Sequence, residues 1–302
     1  MKVIHIGGIM KGCNICPREC SADRGSDKKG FCGEGDTVAV SRIGLHMWEE
    51  PSISGTRGSG TIFFRGCNLR CVFCQNKLIS RGGGAYRELD SKSLAREMLA
   101  LRDMGAHNIN LVTPTHFAPR IAESLSLVKC ELGIPVVYNS SGYESVDTLK
   151  MLDGLIDIYM PDFKYASAKL SAEYSNAPDY PKVAVAALTE MFRQLGENAF
   201  DDEGIMQKGL IVRHLVLPAC RADSIAVLDT LCRILPKDKF KLSLMSQYTP
   251  EFAADCEFKN LHRRVTSFEY DSVLKYAISL GLDGYFQSRT SANSAYTPDF
   301  EE

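Results

Sequence analysis

The 302-residue chain has no apolar run approaching the ~20 residues that a membrane helix needs. Residues 1–11 offer no signal-peptide core before Lys11 interrupts them. Neither charge sign is in excess: 35 basic residues face 37 acidic ones for a net charge of -2, which leaves no electrostatic footprint for nucleic acid or an anionic membrane. Internal repeats and low-complexity tracts are lacking too. The expectation is a soluble, cytoplasmic protein with no nucleic-acid or membrane partner, in a compartment where thiols stay reduced. An odd total of 11 cysteines argues against a closed disulfide framework as well. What the chain does have is 45% hydrophobic residues, enough for a sizeable core, so disorder is excluded as its main state.

Cysteine is scarce over most of the chain and dense at one end. Seven of the 11 fall within the first 74 residues. The other four, Cys130, Cys220, Cys232 and Cys256, have no ligand spacing and read as packing. Residues 1–54 form a small Cys-rich N-terminal segment, polar and charged, with no helical or strand period long enough to build a core. A segment of that kind needs a metal or a neighbouring domain to hold it. Residues 55–250 alternate strand-like and helix-like stretches. The strands begin at Thr61-Ile62-Phe63-Phe64, Ile109–Val112, Ile134–Tyr138, Ile156–Met160, Leu210–Leu217 and Lys241–Met245. Between them, Ser91 is expected to cap a helix whose inner face is Leu94, Met98, Leu101 and Met104. Six βα units in succession predict an α/β fold with a parallel sheet, a partial (β/α)6 TIM-like barrel too short to close, with ligands at the C-terminal strand ends. Residues 251–302 complete it with an amphipathic helix near 267–281, with Phe268, Val273, Tyr276 and Leu280 inward, then Gly284-Tyr285-Phe286 as a last strand or lid and an acidic end expected to be disordered.

At the end of the first of these strands stands Cys67-Asn68-Leu69-Arg70-Cys71-Val72-Phe73-Cys74, a C-x3-C-x2-C pattern. Three thiolates so spaced can ligate three corners of a [4Fe-4S] cubane and leave the fourth iron open for a ligand. Structural zinc or free thiols are the plainer alternatives. The pattern, with an aromatic residue before its last cysteine, resembles that of the radical S-adenosylmethionine (SAM) superfamily. Residues from about 58 to 250 resemble its activating-enzyme branch, typified by the pyruvate formate-lyase activating enzyme, and more closely the relatives with extra N-terminal cysteines. The resemblance implies a partial barrel of the radical SAM type, a [4Fe-4S] cluster and SAM, an oxidoreductase, a flavodoxin- or ferredoxin-type reductant, and a glycyl radical protein as partner. It implies that an electron entering the cluster cleaves SAM to methionine and a 5′-deoxyadenosyl radical, which abstracts hydrogen from a substrate.

The resemblance also assigns residues. Phe73 is similar to the residue beside adenine, and Asn68 and Asn76 flank the cluster loop. The family's second strand ends in a Gly-Gly-Glu that holds the SAM ammonium. Here the strand ends Thr113-Pro114-Thr115-His116, so Thr113, Thr115 and His116 are the candidate acceptors and none carries a carboxylate. Asn139 and Ser141, on the third strand end, match the ribose and monovalent-cation position, with Asn139 where the family has an aspartate. Asp162 and Lys164 alternate with apolar neighbours and so share one side of the fourth strand, a charge pair suited to zwitterionic methionine. Arg213 on the fifth strand offers a two-point fork for the methionine carboxylate. Gln247, with Tyr248, stands near adenine on the sixth.

Cys13, Cys16, Cys20 and Cys32 supply four further thiolates, which suit tetrahedral zinc or a fully ligated [4Fe-4S] cluster equally well. Such a closed site would be structural or an electron relay. Trp48 is expected to pack the N-terminal segment onto the barrel, and Glu49 and Glu50 to form a solvated edge. The leading reading is a radical SAM enzyme of the activating type. Its rivals are a radical SAM maturase or modifier of peptides or small molecules, and a non-enzymatic iron-sulfur or zinc protein.

Overall fold

A computed structural model describes residues 12–26, 29–287 and 300. The expectations for residues 1–11 and for the acidic end at 301–302 lie outside them. In chain order the elements are β1 (Val38–His46), α1 (Pro51–Ser54), β2 (Ser59–Phe64), α2 (Lys77–Ser80), β3 (Arg87–Leu89), α3 (Ser91–Asp103), β4 (Ile109–Val112), α4 (Ala118–Leu132) and β5 (Val136–Ser140). There follow α5 (Val146–Met151), β6 (Ile158–Pro161), α6 (Ala168–Ser175), α7 (Tyr180–Leu195), β7 (Ala199–Phe200), β8 (Met206–Leu215), α8 (Arg221–Ile234), β9 (Lys241–Met245), α9 (Ser267–Ser279) and β10 (Gly284–Phe286).

The strands form one sheet in the order β10-β9-β8-β6-β5-β4-β2-β1-β3, with β7 paired antiparallel to the start of β8. From β2 to β10 the neighbours in that path are parallel, the arrangement expected when a helix returns the chain between successive strands. The path has two ends, so the fold is an α/β partial barrel. Every residue of β2, β4, β5 and β6 is buried. That explains why these strands read as continuous apolar runs, because helices cover one face and something must cover the other.

The other face is covered by a part of the chain that was expected to build no core. Residues 38–46 form β1, antiparallel to β2, with a register shift between Val40 and Arg42. The short α1 comes next, and its Ile53 packs against Val137, Ile158, Met160, Met206 and Ile211, the side chains pointing away from the outer helices. The Asn108 side-chain amide donates to the Ile53 carbonyl at 2.7 Å, and Tyr285 on β10 donates to Ser52 at 2.6 Å. The N-terminal segment therefore fills the inside of the curved sheet. Burying one Ile there is worth roughly 1.5–3 kcal/mol.

Several local expectations change. Asp90, not Ser91, caps α3, its carboxylate accepting from the Ser93 N–H at 2.7 Å, and Met104 lies exposed just past the helix end. Phe268 is 71% exposed in the first turn of α9, while Val273 is buried and Tyr276 and Leu280 pack partly against the core. Thr266 and Glu269 form a reciprocal capping box that starts this helix. Gly284–Phe286 is a strand, parallel to β9.

Candidate active site

The C-terminal ends of the parallel strands open onto one cleft of about 230 Å³. Cys67, Cys71, Cys74, Phe73 and Asn76 from the cysteine loop line it, with Thr113 after β4, Asn139 and Ser141 at β5, Asp162 and Lys164 after β6, Arg213 on β8, and Gln247 and Tyr248 after β9. Thr115 and His116 do not reach it. A turn after β4 points Thr115 at Glu144, to which its hydroxyl donates at 2.7 Å, and His116 Nε2 lies 2.7 Å from the Arg65 carbonyl. Burial pushes the His116 imidazole down to about 3, so it is neutral and Nε2 carries the proton donated to that carbonyl. Of the three acceptors named for that wall, only Thr113 faces the cleft, held at a positive φ of 60°.

The charged groups form one network. Arg213 Nε donates to Asp162 Oδ1 at 3.0 Å, and Lys164 Nζ donates to Asp162 Oδ2 at 2.5 Å. Burial alone would raise the Asp162 carboxyl, but Lys164 and Arg213 outweigh it and hold it below the usual range. Lys164 is shifted upward, since Asp162 outweighs the burial that would deprotonate it. Asn139 Oδ1 accepts from Arg213 Nη2 at 2.5 Å. Backbone pairing aligns these groups: the Phe163 N–H donates to the Arg213 carbonyl at 2.8 Å, and the Thr113 N–H to the Asn139 carbonyl at 2.9 Å.

Sequence reasoning missed Glu49. It is no solvated edge: its Oε2 lies 3.6 Å from Arg213 Nη1, its Oε1 accepts from Asn110 at 3.0 Å, and Glu50 beside it is buried. Burial pushes the Glu49 carboxyl up, against the pull of Arg213. Trp48, expected to pack the segment down, is 61% exposed and lines the cleft. Both positions follow from the path of residues 47–54 through the inside of the sheet, which no periodicity announces.

Two of the cysteine-loop sulfurs accept hydrogen bonds. The Leu69 N–H donates to Cys67 Sγ at 3.3 Å, and the Ser175 hydroxyl donates to Cys71 Sγ at 3.0 Å. Burial pushes the Cys67 thiol up to about 12, helped by the neighbouring Cys74 and Cys71, and burial raises Cys74 as well. Thiols that burial keeps protonated become thiolates when a cationic partner replaces the proton. Two buried acceptors near them, Asn68 Oδ1 and Ser141 Oγ, have no protein partner, and Ser141 lines the cleft. The donor set and these unpartnered atoms fit an iron-sulfur cluster with a polar ligand above it. Among the described residues no three His, Cys, Asp or Glu side chains are drawn together as for a single bound ion. The thiolates of a cubane bind separate irons and need not converge on one point. Phe73 is buried, with the rings of Tyr165, Tyr174 and Tyr248 standing edge-on to it at 6.2–6.5 Å.

In the N-terminal group Cys13, Cys16 and Cys32 are buried and Cys20 is exposed. Buried Arg24 places Nη1 4.0 Å from Cys13 Sγ and 3.9 Å from Cys32 Sγ. Burial pushes Cys16 up to about 12, with Cys32 and Cys13 among the groups adding to it. The buried guanidinium offers positive charge to the Cys13 and Cys32 thiols, and among the described residues no three of this group's side chains are drawn together as for a single bound ion.

Residues 61–201, from β2 to the end of β7, match the radical SAM superfamily. The chain carries a radical SAM superfamily domain, which implies an enzyme that holds a [4Fe-4S] cluster and SAM. The uncharacterized protein MJ0674 of Methanocaldococcus jannaschii is 30% identical over 297 residues, which cover 94% of this chain and 79% of that protein. SuiB of Streptococcus suis bound to precursor peptide SuiA has a similar fold, with a TM-score of 0.51 at 13% identity over 74% of this chain and 46% of SuiB. SuiB bound to S-adenosylmethionine gives a TM-score of 0.49 at 15% identity over 74% of this chain and 48% of that one. The chain thus spans less than half the length of SuiB. Among the described residues no helix is long and apolar enough to cross a membrane.

Proposed function

We propose that this enzyme holds its SAM-binding cluster on Cys67, Cys71 and Cys74 and generates a radical on a polypeptide, as the activating-enzyme branch does on a glycine of a partner protein. The observation that carries the reading is the single cleft in which the three thiols meet the Asp162, Lys164, Arg213 and Glu49 network. The cluster, when bound, supplies the electron that cleaves SAM to a 5′-deoxyadenosyl radical.

The chain's own groups bind and orient. Arg213 and Lys164 offer cationic donors to the methionine carboxylate, and Asp162 and Glu49 offer acceptors to its ammonium. Glu49 thereby supplies the carboxylate that β4 lacks, from a different element. The Ser141 hydroxyl, buried without a partner, suits a ribose hydroxyl, and Phe73 with its ring of tyrosines suits adenine. Exposed Trp48 offers a polypeptide an apolar contact at the cleft.

A second reading, peptide modification, is favoured by SuiB, which shares the fold and was captured with a precursor peptide. The test is EPR on the anaerobically reconstituted, reduced enzyme. SAM should change the cluster signal, and a glycine-centred doublet should appear on a glycyl radical protein incubated with it. A SAM-dependent mass change on a peptide with no such doublet favours the second reading. A cluster signal that ignores SAM overturns both.

A further inference from the structure

The two cysteine groups are distant in sequence, yet one side chain spans them. Arg18 lies between Cys16 and Cys20. Its Nε donates to the Asn68 carbonyl at 2.8 Å, its Nη2 to the Ser175 carbonyl at 3.0 Å, and its Nη1 to the Asn176 carbonyl. Asn68 directly follows Cys67, and the Ser175 hydroxyl donates to Cys71 Sγ at 3.0 Å. The same guanidinium lies 3.9 Å from the centroid of Phe31, which precedes Cys32, and 5.1 Å from that of Tyr143. The Tyr143 carbonyl accepts from the Asn68 amide at 2.7 Å, and Phe31 also carries Arg70, the residue before Cys71, at 5.3 Å. The hydrogen bonds from Arg18 to the Asn68 and Ser175 carbonyls and the Arg70 contact with Phe31 join a neighbour of one cysteine group to a neighbour of the other.

The chemistry of the Arg18 pocket is informative. The acceptors of these hydrogen bonds are backbone carbonyls, and among the described residues no carboxylate pairs with Arg18. A carboxylate on a flexible stem follows a guanidinium as it moves, whereas three carbonyls accept together only while their backbones keep one relative placement. The cysteine loop also needs outside support, because Arg70 sits at a φ of 56°, a left-handed conformation costly for a residue with a side chain. Arg18 is itself fixed by its segment, whose Ile15 carbonyl accepts from Thr148 at 2.6 Å and whose Cys13 and Ser21 backbones are hydrogen-bonded.

We propose that Arg18 is a positioning residue through which the N-terminal four-cysteine segment holds the C-x3-C-x2-C loop in its cleft-facing conformation. Disordering the first cysteine group then loosens the second. The inference rests on reading Cys67, Cys71 and Cys74 as the cluster ligands, but its test reads the loop directly. A chain that failed to cleave SAM would leave the result standing.

The experiment is amide hydrogen exchange on the reconstituted full-length protein, followed on peptides covering residues 66–76, with β4 and β5 peptides as internal controls. In Arg18→Ala the loop amides should exchange about tenfold faster or more, the size expected from losing several hydrogen bonds of a charged donor, while the controls stay protected. The Cys13→Ser/Cys16→Ser variant, which keeps Arg18, should speed the same amides, and the EPR g-values of the reduced cluster should shift in both. Arg18→Lys, whose single ammonium cannot span the three carbonyls, should fall between wild type and Arg18→Ala. It serves as the informative variant if Arg18→Ala loses protection throughout. Loop exchange equal to wild type in both Arg18 variants, or unchanged when the N-terminal cysteines are replaced, overturns the proposal.

Discussion

Replacing Arg213 by Met should reveal how the cleft balances its charges. Arg213 stands 3.0 Å from Asp162 and 3.6 Å from Glu49. At an effective dielectric of about 20 those separations correspond to about 4–6 kcal/mol of raw attraction each, before either group's desolvation is counted. Asp162 keeps Lys164 when Arg213 is lost, whereas among the described residues Glu49 keeps the Asn110 amide alone. The variant should therefore be less stable by about 3–5 kcal/mol at pH 8.5, the usual cost of stranding a buried charge. The sign of the pH dependence comes from Glu49. Its folded pKa, about 7, already lies above the unfolded value, so ionisation of this group costs stability as pH rises between the two. Removing Arg213 raises that pKa further, and the added loss opens above pH 7 and shrinks by pH 6. Urea unfolding of the metal-free chain, tracked by circular dichroism at both pH values, measures it. Adding Glu49→Gln should recover about 1–3 kcal/mol at pH 8.5 and little at pH 6. Equal losses at the two pH values, or strict additivity of the two substitutions, would refute this account of the network.

Three further outcomes are expected. Gly142→Ala should collapse the strand ends, since a Cβ there would stand 2.1 Å from the Asp162 carbonyl oxygen at a φ of 73°; the loss should exceed about 2 kcal/mol in urea unfolding. Tyr180→Phe strands the Lys164 N–H, which donates to the Tyr180 hydroxyl at 2.9 Å, and should cost about 1–2 kcal/mol with SAM affinity lowered in calorimetry. Glu269 is held well below the usual carboxylate range by Arg263, then by the Thr266 and Ala219 N–H groups, despite burial. Its contribution is present above its unfolded pKa and disappears as pH falls through the folded value. Glu269→Gln should therefore lose about 1–2 kcal/mol at pH 7 and match wild type in strongly acidic solution.

The parallel strands and the polar residues at their ends were legible because both arise from short-range pattern. A strand buried on two faces reads as an apolar run, and the residues just beyond its C-terminal end face the open end of the sheet. Arg213 lies inside β8 and was singled out by the family resemblance, whereas Asp162 and Lys164, which alternate with apolar neighbours, were read this way. Glu49 was not, because it reaches the cleft through β1 and α1, elements outside the βα rhythm. β1 alternates apolar and polar residues only after the shift at Val40/Arg42, and α1 is a single turn. Thr115 and His116 were misplaced for the opposite reason. They lie after a strand end as the others do, but the 3-10 turn Thr115–Phe117 carries them back into the wall, toward Glu144 and Arg65. Phe268 and Met104 show that an apolar residue at a helix end need not share the inner face. Arg18 left no signal, since its acceptors are backbone carbonyls some 50 and more residues away.

The most direct test of the central claim is 5′-deoxyadenosine release. The enzyme is reconstituted anaerobically with iron and sulfide, given SAM and dithionite, and compared with Cys71→Ala treated identically. The account predicts release that requires SAM, reductant and the intact Cys67, Cys71 and Cys74 set. Equal release from wild type and Cys71→Ala, or none from a wild type that carries its cluster, would contradict it.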